Sequence, residues 1–144
     1  MAYSEEFPGW RDQIRRARTW TDNILAAHSE FEIPDDAVAS TVLLVSEAAT
    51  NAVCHTASGR GGMFTVRMTV DRGRIRVDVE DEGKAESIPF LRPATPMAER
   101  GRGIRLIDML ADTWAPLPRP RCGIAFTITW AAERTAPADL PGHR

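Results

Sequence analysis

The feature that most constrains this 144-residue chain is a change of apolar period near its middle. Between Pro34 and about His55, Val38, Val42, Val45, Ala49 and Ala52 recur at helical spacing with no glycine or proline to interrupt them. From Phe64 the apolar residues fall on every second position instead: Phe64, Val66, Met68 and Val70, then Ile75, Val77 and Val79, with Asp71-Arg72-Gly73 between the two runs. A helix repeats every 3.6 residues and a strand every two, so neither segment can take the other's structure without scattering its apolar residues over both faces. The chain must therefore pair a long helix with a hairpin that has one apolar face.

The flanking segments extend this scheme. Residues 3 to 7 suit a short edge strand ended by Pro8-Gly9. Residues 10 to 28 carry Trp10, Ile14, Ala17, Ile24 and Leu25 at helical spacing, with Arg11, Arg15, Arg16 and Arg18 on the other faces and Trp10 and Trp20 expected in the core. Pro34 suits the first position of the long helix, and Asp35 and Asp36 favour the positive end of its dipole. The stretch 58 to 62 should end it. Residues 82 to 100 contain Pro89, Pro93 and Pro96 without a period, and so long a loop signals function or disorder. A helical stripe resumes from 103 to 111 through Ile104, Ile107 and Leu110, followed by strands near 113 to 115 and 124 to 130. The expected fold is an α+β two-layer sandwich, a mostly antiparallel sheet covered on one face by about three helices. One domain should span residues 1–131, with a polar, proline-containing tail over 132–144 expected to be disordered.

Composition excludes several classes. Hydrophobic residues make up 43% and charged residues 26%, ordinary for a globular protein, while a net charge of −2 gives no general electrostatic case for nucleic acid or membrane. Two cysteines, Cys54 and Cys122, and three histidines argue against a dedicated zinc site. With no secretory-type leader and no apolar run approaching the roughly 18 residues that a membrane span needs, a reduced, cytoplasmic protein is expected.

Three groups could carry chemistry. Glu47 and Asn51 lie one turn apart, opposite the Val38–Ala52 stripe but beside Leu43, Leu44 and Cys54; they either line a groove or form an exposed pair. Alternation places Asp81 on the face of Ile75, Val77 and Val79, where a carboxylate needs donors. It either caps the turn before Gly83 or accepts from the exocyclic amine of a purine. Gly101-Arg102-Gly103 opens a helix next to Arg100 and Arg105, a setting that binds phosphate or makes a plain turn. The chain has no P-loop.

In order and spacing, these motifs resemble the ATP-binding family shared by DNA gyrase, sensor histidine kinases and MutL, most closely the small anti-sigma-factor serine kinases of Gram-positive bacteria. The resemblance covers residues 4 to 130. Glu47 to Asn51 resembles the family's N box, Asp81 and Gly83 its first glycine box, and residues 99 to 108 its second. It implies a Bergerat-type fold, with ATP and Mg²⁺ as cofactors, Glu47 as general base, and Asn51 as metal ligand. It also implies that Asp81 and Gly83 hold the nucleotide together with Arg100, Gly101, Arg102 and Gly103, and that the loop over 82 to 100 is the ATP lid. The partners implied are a sigma factor, a STAS-type antagonist phosphorylated on serine, and a second copy of the chain, with no direct contact to nucleic acid or membrane. Two positions depart from the pattern: Lys84-Ala85 replaces a second glycine, and Ile124 replaces a threonine that helps hold adenine. The rival reading is a nucleotide-gated binding module without turnover. A histidine-kinase catalytic domain is disfavoured, since the first helix lacks a phosphoacceptor-type histidine. His55 resembles a position often histidine in these kinases and reads otherwise as a satisfied helix-end residue.

Overall fold

The computed structural model describes residues 1–83 and 105–132. Its elements are β1 (Ala2–Pro8), α1 (Arg11–Ala26), α2 (Asp35–His55), β2 (Met63–Asp71), β3 (Arg74–Asp81), β4 (Thr113–Pro116) and β5 (Cys122–Thr129), with residues 105–110 helical between β3 and β4. The strands form one sheet in the order β1-β2-β3-β5-β4, every neighbouring pair antiparallel. Helix α1 packs on α2, and α2 lies across β2, β3 and β5. The result is the α+β sandwich expected from the period change.

Burial follows the period of two. Val66, Met68 and Val70 of β2 stand opposite Val79, Val77 and Ile75 of β3, all buried, and Phe126 and Ile128 of β5 extend the same apolar face. Each such side chain removed from water contributes about 1.5–3 kcal/mol, the main force holding helix to sheet. The hairpin closes through Arg72-Gly73, and Gly73 supplies the left-handed φ of +85° that the tight turn requires. Phe7 stacks on Phe64 at 5.3 Å and meets Trp20 edge-on at 6.0 Å, joining β1 to both β2 and α1.

The structure corrects four details. Trp10 is 60% exposed at the start of α1, because it caps the helix instead of lying in its buried stripe, which runs through Ala17, Thr21 and Leu25. Pro34 is the N-cap of α2, with extended backbone, and the helix starts one residue later. The core face of α2 is Ala37, Thr41, Leu44, Val45, Ala48, Ala49, Ala52 and His55, so the buried stripe is rotated from the expected one, and Val38 and Val42 sit at its margin. Leu110 is 37% exposed, leaving Ile107 as the buried residue among the described residues of the third helix; Ile104 lies outside them. By length and composition α2 would also pass for a membrane span, but its buried residues lie against the sheet and it is the core helix of this domain.

Side-chain bonds fix the two ends of the sheet. At the hairpin end, the Tyr3 hydroxyl and His28 Nε2 are 2.6 Å apart, His28 Nδ1 and Glu30 Oε2 are 2.8 Å apart, and Arg72 donates to the Glu30 carbonyl at 3.2 Å. At the other end, Glu82 Oε2 accepts from the Met63 N–H at 2.9 Å. There β5 also lies close against β3: Gly123 has φ +134°, and a Cβ on it would lie 2.0 Å from the Val79 carbonyl oxygen.

Two outcomes follow. Gly123→Ala should destabilise by on the order of 3 kcal/mol or more, since both strain and collision oppose it, whereas Gly73→Ala, with φ +85° and its nearest neighbour at 3.4 Å, should cost about 1 kcal/mol; thermal unfolding of both variants checks the difference. The hydrogen bond from His28 holds the Glu30 carboxyl below the ordinary glutamate range. Its contribution is therefore present above the unfolded-state value and lost as pH falls through the depressed folded one, so the acid limb of a melting-temperature profile should flatten in Glu30→Gln.

Candidate functional site

The hairpin turn sits beside residue 30, just before α2 begins, and Met63, just after α2 ends, is tied to Glu82. Helix α2 therefore runs from the hairpin end of the sheet to the end where β3 terminates. Its C-terminal half, with Glu47 and Asn51, shares that end with the Asp81–Gly83 turn.

Glu47 and Asn51 are half-buried, at the border of the core face and not opposite it as the sequence reading had them. The rotation of the stripe accounts for this, with Leu44 and Ala48 filling the contact to the sheet and carrying the two polar residues to its rim. Residues four apart on a helix stand about 5–6 Å apart at Cβ. Thr50, between them, donates its hydroxyl to the Ser46 carbonyl at 2.7 Å and is used up on the helix itself. Among the described residues, the side chains of Glu47 and Asn51 form no hydrogen bond or ion pair. His55 is buried at 3% exposure in the last turn.

Asp81 is half-buried on the helix-facing side of β3. Its Oδ1 accepts the Gly83 N–H at 2.8 Å, and Gly83 takes φ +96°. The turn cap considered from the sequence is thus present, and it fixes where the carboxylate points. A Cβ on Gly83 would lie 3.6 Å from Cys122 Sγ, and Cys122 is the register partner of Asp81. Ile124 pairs with Val79 and so stands on the same face as Asp81, two pairs inward. The side chain replacing the family's threonine is therefore apolar and next to the turn.

Arg100, Gly101, Arg102 and Gly103, together with Ala85 and most of the loop expected over 82 to 100, lie outside the described residues. The helix at 105–110 is held on its far side: Trp114 Nε1 donates to Asp108 Oδ1 at 2.8 Å, and Asp112 Oδ2 accepts the Thr129 N–H at 2.6 Å. Among the described residues no group of three His, Cys, Asp or Glu side chains could hold a metal ion by itself, so a cation here would rely on one or two protein oxygens and on its ligand's own.

Sequence reading missed two supports of this site. One is Gly123, read only against a family pattern, whose lack of a side chain lets β5 reach β3 beneath Asp81; a glycine opening an otherwise β-branched and aromatic strand was the available signal. The other is the charged layer on the opposite face of β3. Arg121 Nη2 donates to Asp78 Oδ2 at 3.0 Å and its Nε to Glu80 Oε1 at 3.3 Å, with Arg67 and Arg76 pairing to the same two acids. Strict alternation put Asp78 and Glu80 on that face, but Arg121 comes from a connection with no period.

Compared with known protein families, residues 7–119 match the histidine kinase-like ATPase domain. No match is found among curated proteins. The matched span runs from the end of β1 past β4 and includes α2, the Asp81 turn and the helix at 105–110. With more than half its length covered, this chain belongs to the histidine kinase-like ATPase family, a GHKL-type, ATP-binding domain.

Proposed function

We propose that the domain is an ATP- and Mg²⁺-dependent regulatory kinase of the anti-sigma type, cytoplasmic, which binds a sigma factor and phosphorylates a serine of a STAS-type antagonist. The observation that carries the reading is the placement of two unengaged polar side chains, Glu47 and Asn51, at the same end of the sheet as an inward-facing, oriented carboxylate. The residues suit the ligand. An ionised carboxylate offers about four lone-pair sites, so the turn bond at Asp81 orients the group without saturating it, and the purine's exocyclic amine is a matching donor. The Asn51 amide oxygen is a hard ligand of the kind Mg²⁺ takes together with phosphate oxygens and water.

Bound ATP would supply the transferable phosphoryl group. Glu47 would take the proton of the substrate hydroxyl as its oxygen forms the bond to phosphorus and the bond to the leaving diphosphate oxygen breaks. Arg100, Gly101, Arg102 and Gly103 are assigned to the phosphates through their charges and helix-start N–H groups. A homodimer is part of the same proposal, built through the β1 edge and α1.

A second reading, a nucleotide-gated protein-binding module without turnover, is favoured by one observation: Ile124 presents methyl groups where a hydroxyl would help hold the base. Two measurements decide between them. Asp81→Asn keeps an acceptor oxygen for the turn but sets an amide N–H₂ against the purine amine, so calorimetric ATP affinity should fall about tenfold or more with folding intact; Asn51→Ala should weaken ATP only when Mg²⁺ is present. If both variants bind like the wild type, the site is misplaced. Glu47→Gln should keep ATP affinity while transfer of labelled phosphate to a candidate antagonist falls by about 10²–10⁴. Tight binding with no transfer in the wild type selects the module.

A further inference from the structure

Between them α1 and α2 leave a trough of about 730 Å³, lined by residues of these two helices from Arg15 to Asp22 and from Asp35 to Ser46 and by no strand residue. Its lining includes Val38 and Val42, both half-buried, and Leu43, which is 39% exposed; Val38 also packs on the core, so Leu43 is the most open apolar group of the strip. Charges at its two ends differ in sign. Arg15 and Arg18 lie toward the start of α1, and Asp22 and Asp35 lie where α1 ends and α2 begins. Seven residues of helix separate Arg15 from Asp22, a distance of roughly 10 Å at 1.5 Å per residue. Among the described residues none of these four charges forms an ion pair, although Arg18 and Asp22 are one turn apart. Arg16 on the same helix, by contrast, pairs with Glu5 at 3.6 Å and bonds Gln13 at 2.7 Å.

We propose that this trough docks an amphipathic helix of a partner protein, lying parallel to α1, with acidic residues toward Arg15 and Arg18 and basic residues about two turns later against Asp22 and Asp35. The occupant's chemistry follows from the lining. An apolar strip between two helices accepts a ridge of aliphatic side chains and completes a three-helix contact at the usual 8–10 Å spacing. The charge order selects direction, because helices commonly carry acids in the first turn and bases in the last, and only the orientation parallel to α1 then meets opposite charge at both ends. The inference stands apart from the nucleotide site and does not require it.

The test uses the full chain and two fluorescein-labelled peptides of ~18 residues, each with leucines at helical spacing; one has glutamates in its second turn and lysines about two turns later, and the other has them exchanged. Anisotropy titration should give saturable binding of the first and about tenfold weaker binding of the second. Arg15→Glu, Arg18→Glu, Asp22→Lys and Asp35→Lys combined should invert that preference, and Leu43→Asp, at an exposed position that leaves folding intact, should weaken both peptides about tenfold. Absence of saturable binding overturns the proposal, as does equal binding of the two peptides or indifference to Leu43→Asp. So does sedimentation showing that the wild type pairs with itself and Leu43→Asp does not, which would assign the trough to a second copy of the chain.

Discussion

The closeness with which α2 lies on the sheet governs the rest of the molecule. Ala48, Ala49 and Ala52 are all buried on its contact face, and methyl side chains let a helix approach strands whose own valines and isoleucines fill the gap. A larger residue at any of the three would lift the helix, which a packed interior resists by about 1–3 kcal/mol. The same closeness sets what stands at the rim. With small residues seated against β2, β3 and β5, the neighbouring turn carries Glu47 and Asn51 to the border, near enough to the sheet to be half-buried and not so deep as to need partners within the protein.

The two ends of the sheet are built differently, and the candidate residues gather at one of them. At the hairpin end, Tyr3, His28, Glu30, Phe31 and Arg72 engage one another through two side-chain bonds, ring contacts and a carbonyl bond, and the turn is the short type that consumes its own backbone groups. At the far end the chain takes left-handed φ values at Gly83 and Gly123. These φ values depart from those of a regular strand, and at Gly123 this brings β5 close to the β3 backbone without a side chain between, the kind of close approach for which strands use glycine. The charged layer of Arg67, Arg76 and Arg121 with Asp78 and Glu80 holds β3 from the opposite face, so the departure is confined to the last residues of the strand.

Legibility in the sequence followed the strength of the period. The bounds of α2 and of the β2–β3 hairpin, and the side on which Asp81 lies, came from long runs whose apolar spacing admits one solution. The wheel position of Glu47 and Asn51 was misjudged because valine is more hydrophobic than alanine and the apolar stripe was drawn through Val38 and Val42; closeness of approach, not hydrophobicity, decided which side meets the sheet. Trp10 was misjudged for a similar reason, since a large aromatic at the edge of an apolar stripe reads as core although its backbone is already extended in the cap. The family itself was legible from the Glu47-to-Asn51 spacing with Asp81 and Gly83, and the match over residues 7–119 bears that out. Partners and substrate were not, because the surfaces that select them carry no obligatory pattern.

Capping a turn and accepting from a ligand make different demands on one carboxylate, and the first does not preclude the second at Asp81. An unconstrained aspartate at the end of a strand can swing toward water and away from the helix, losing side-chain freedom only when a ligand arrives. Bonded to the Gly83 N–H, the carboxylate has that freedom removed by the fold, and a ligand donor meets an acceptor already aimed. Beyond the bond, Gly83 takes a left-handed φ of +96°, one that side-chain-bearing residues rarely adopt, and so redirects the chain that follows. The spacing of an acid two residues before a glycine thus encodes the orientation of an acceptor, and an amide in place of the acid would keep the turn while changing what the turn presents.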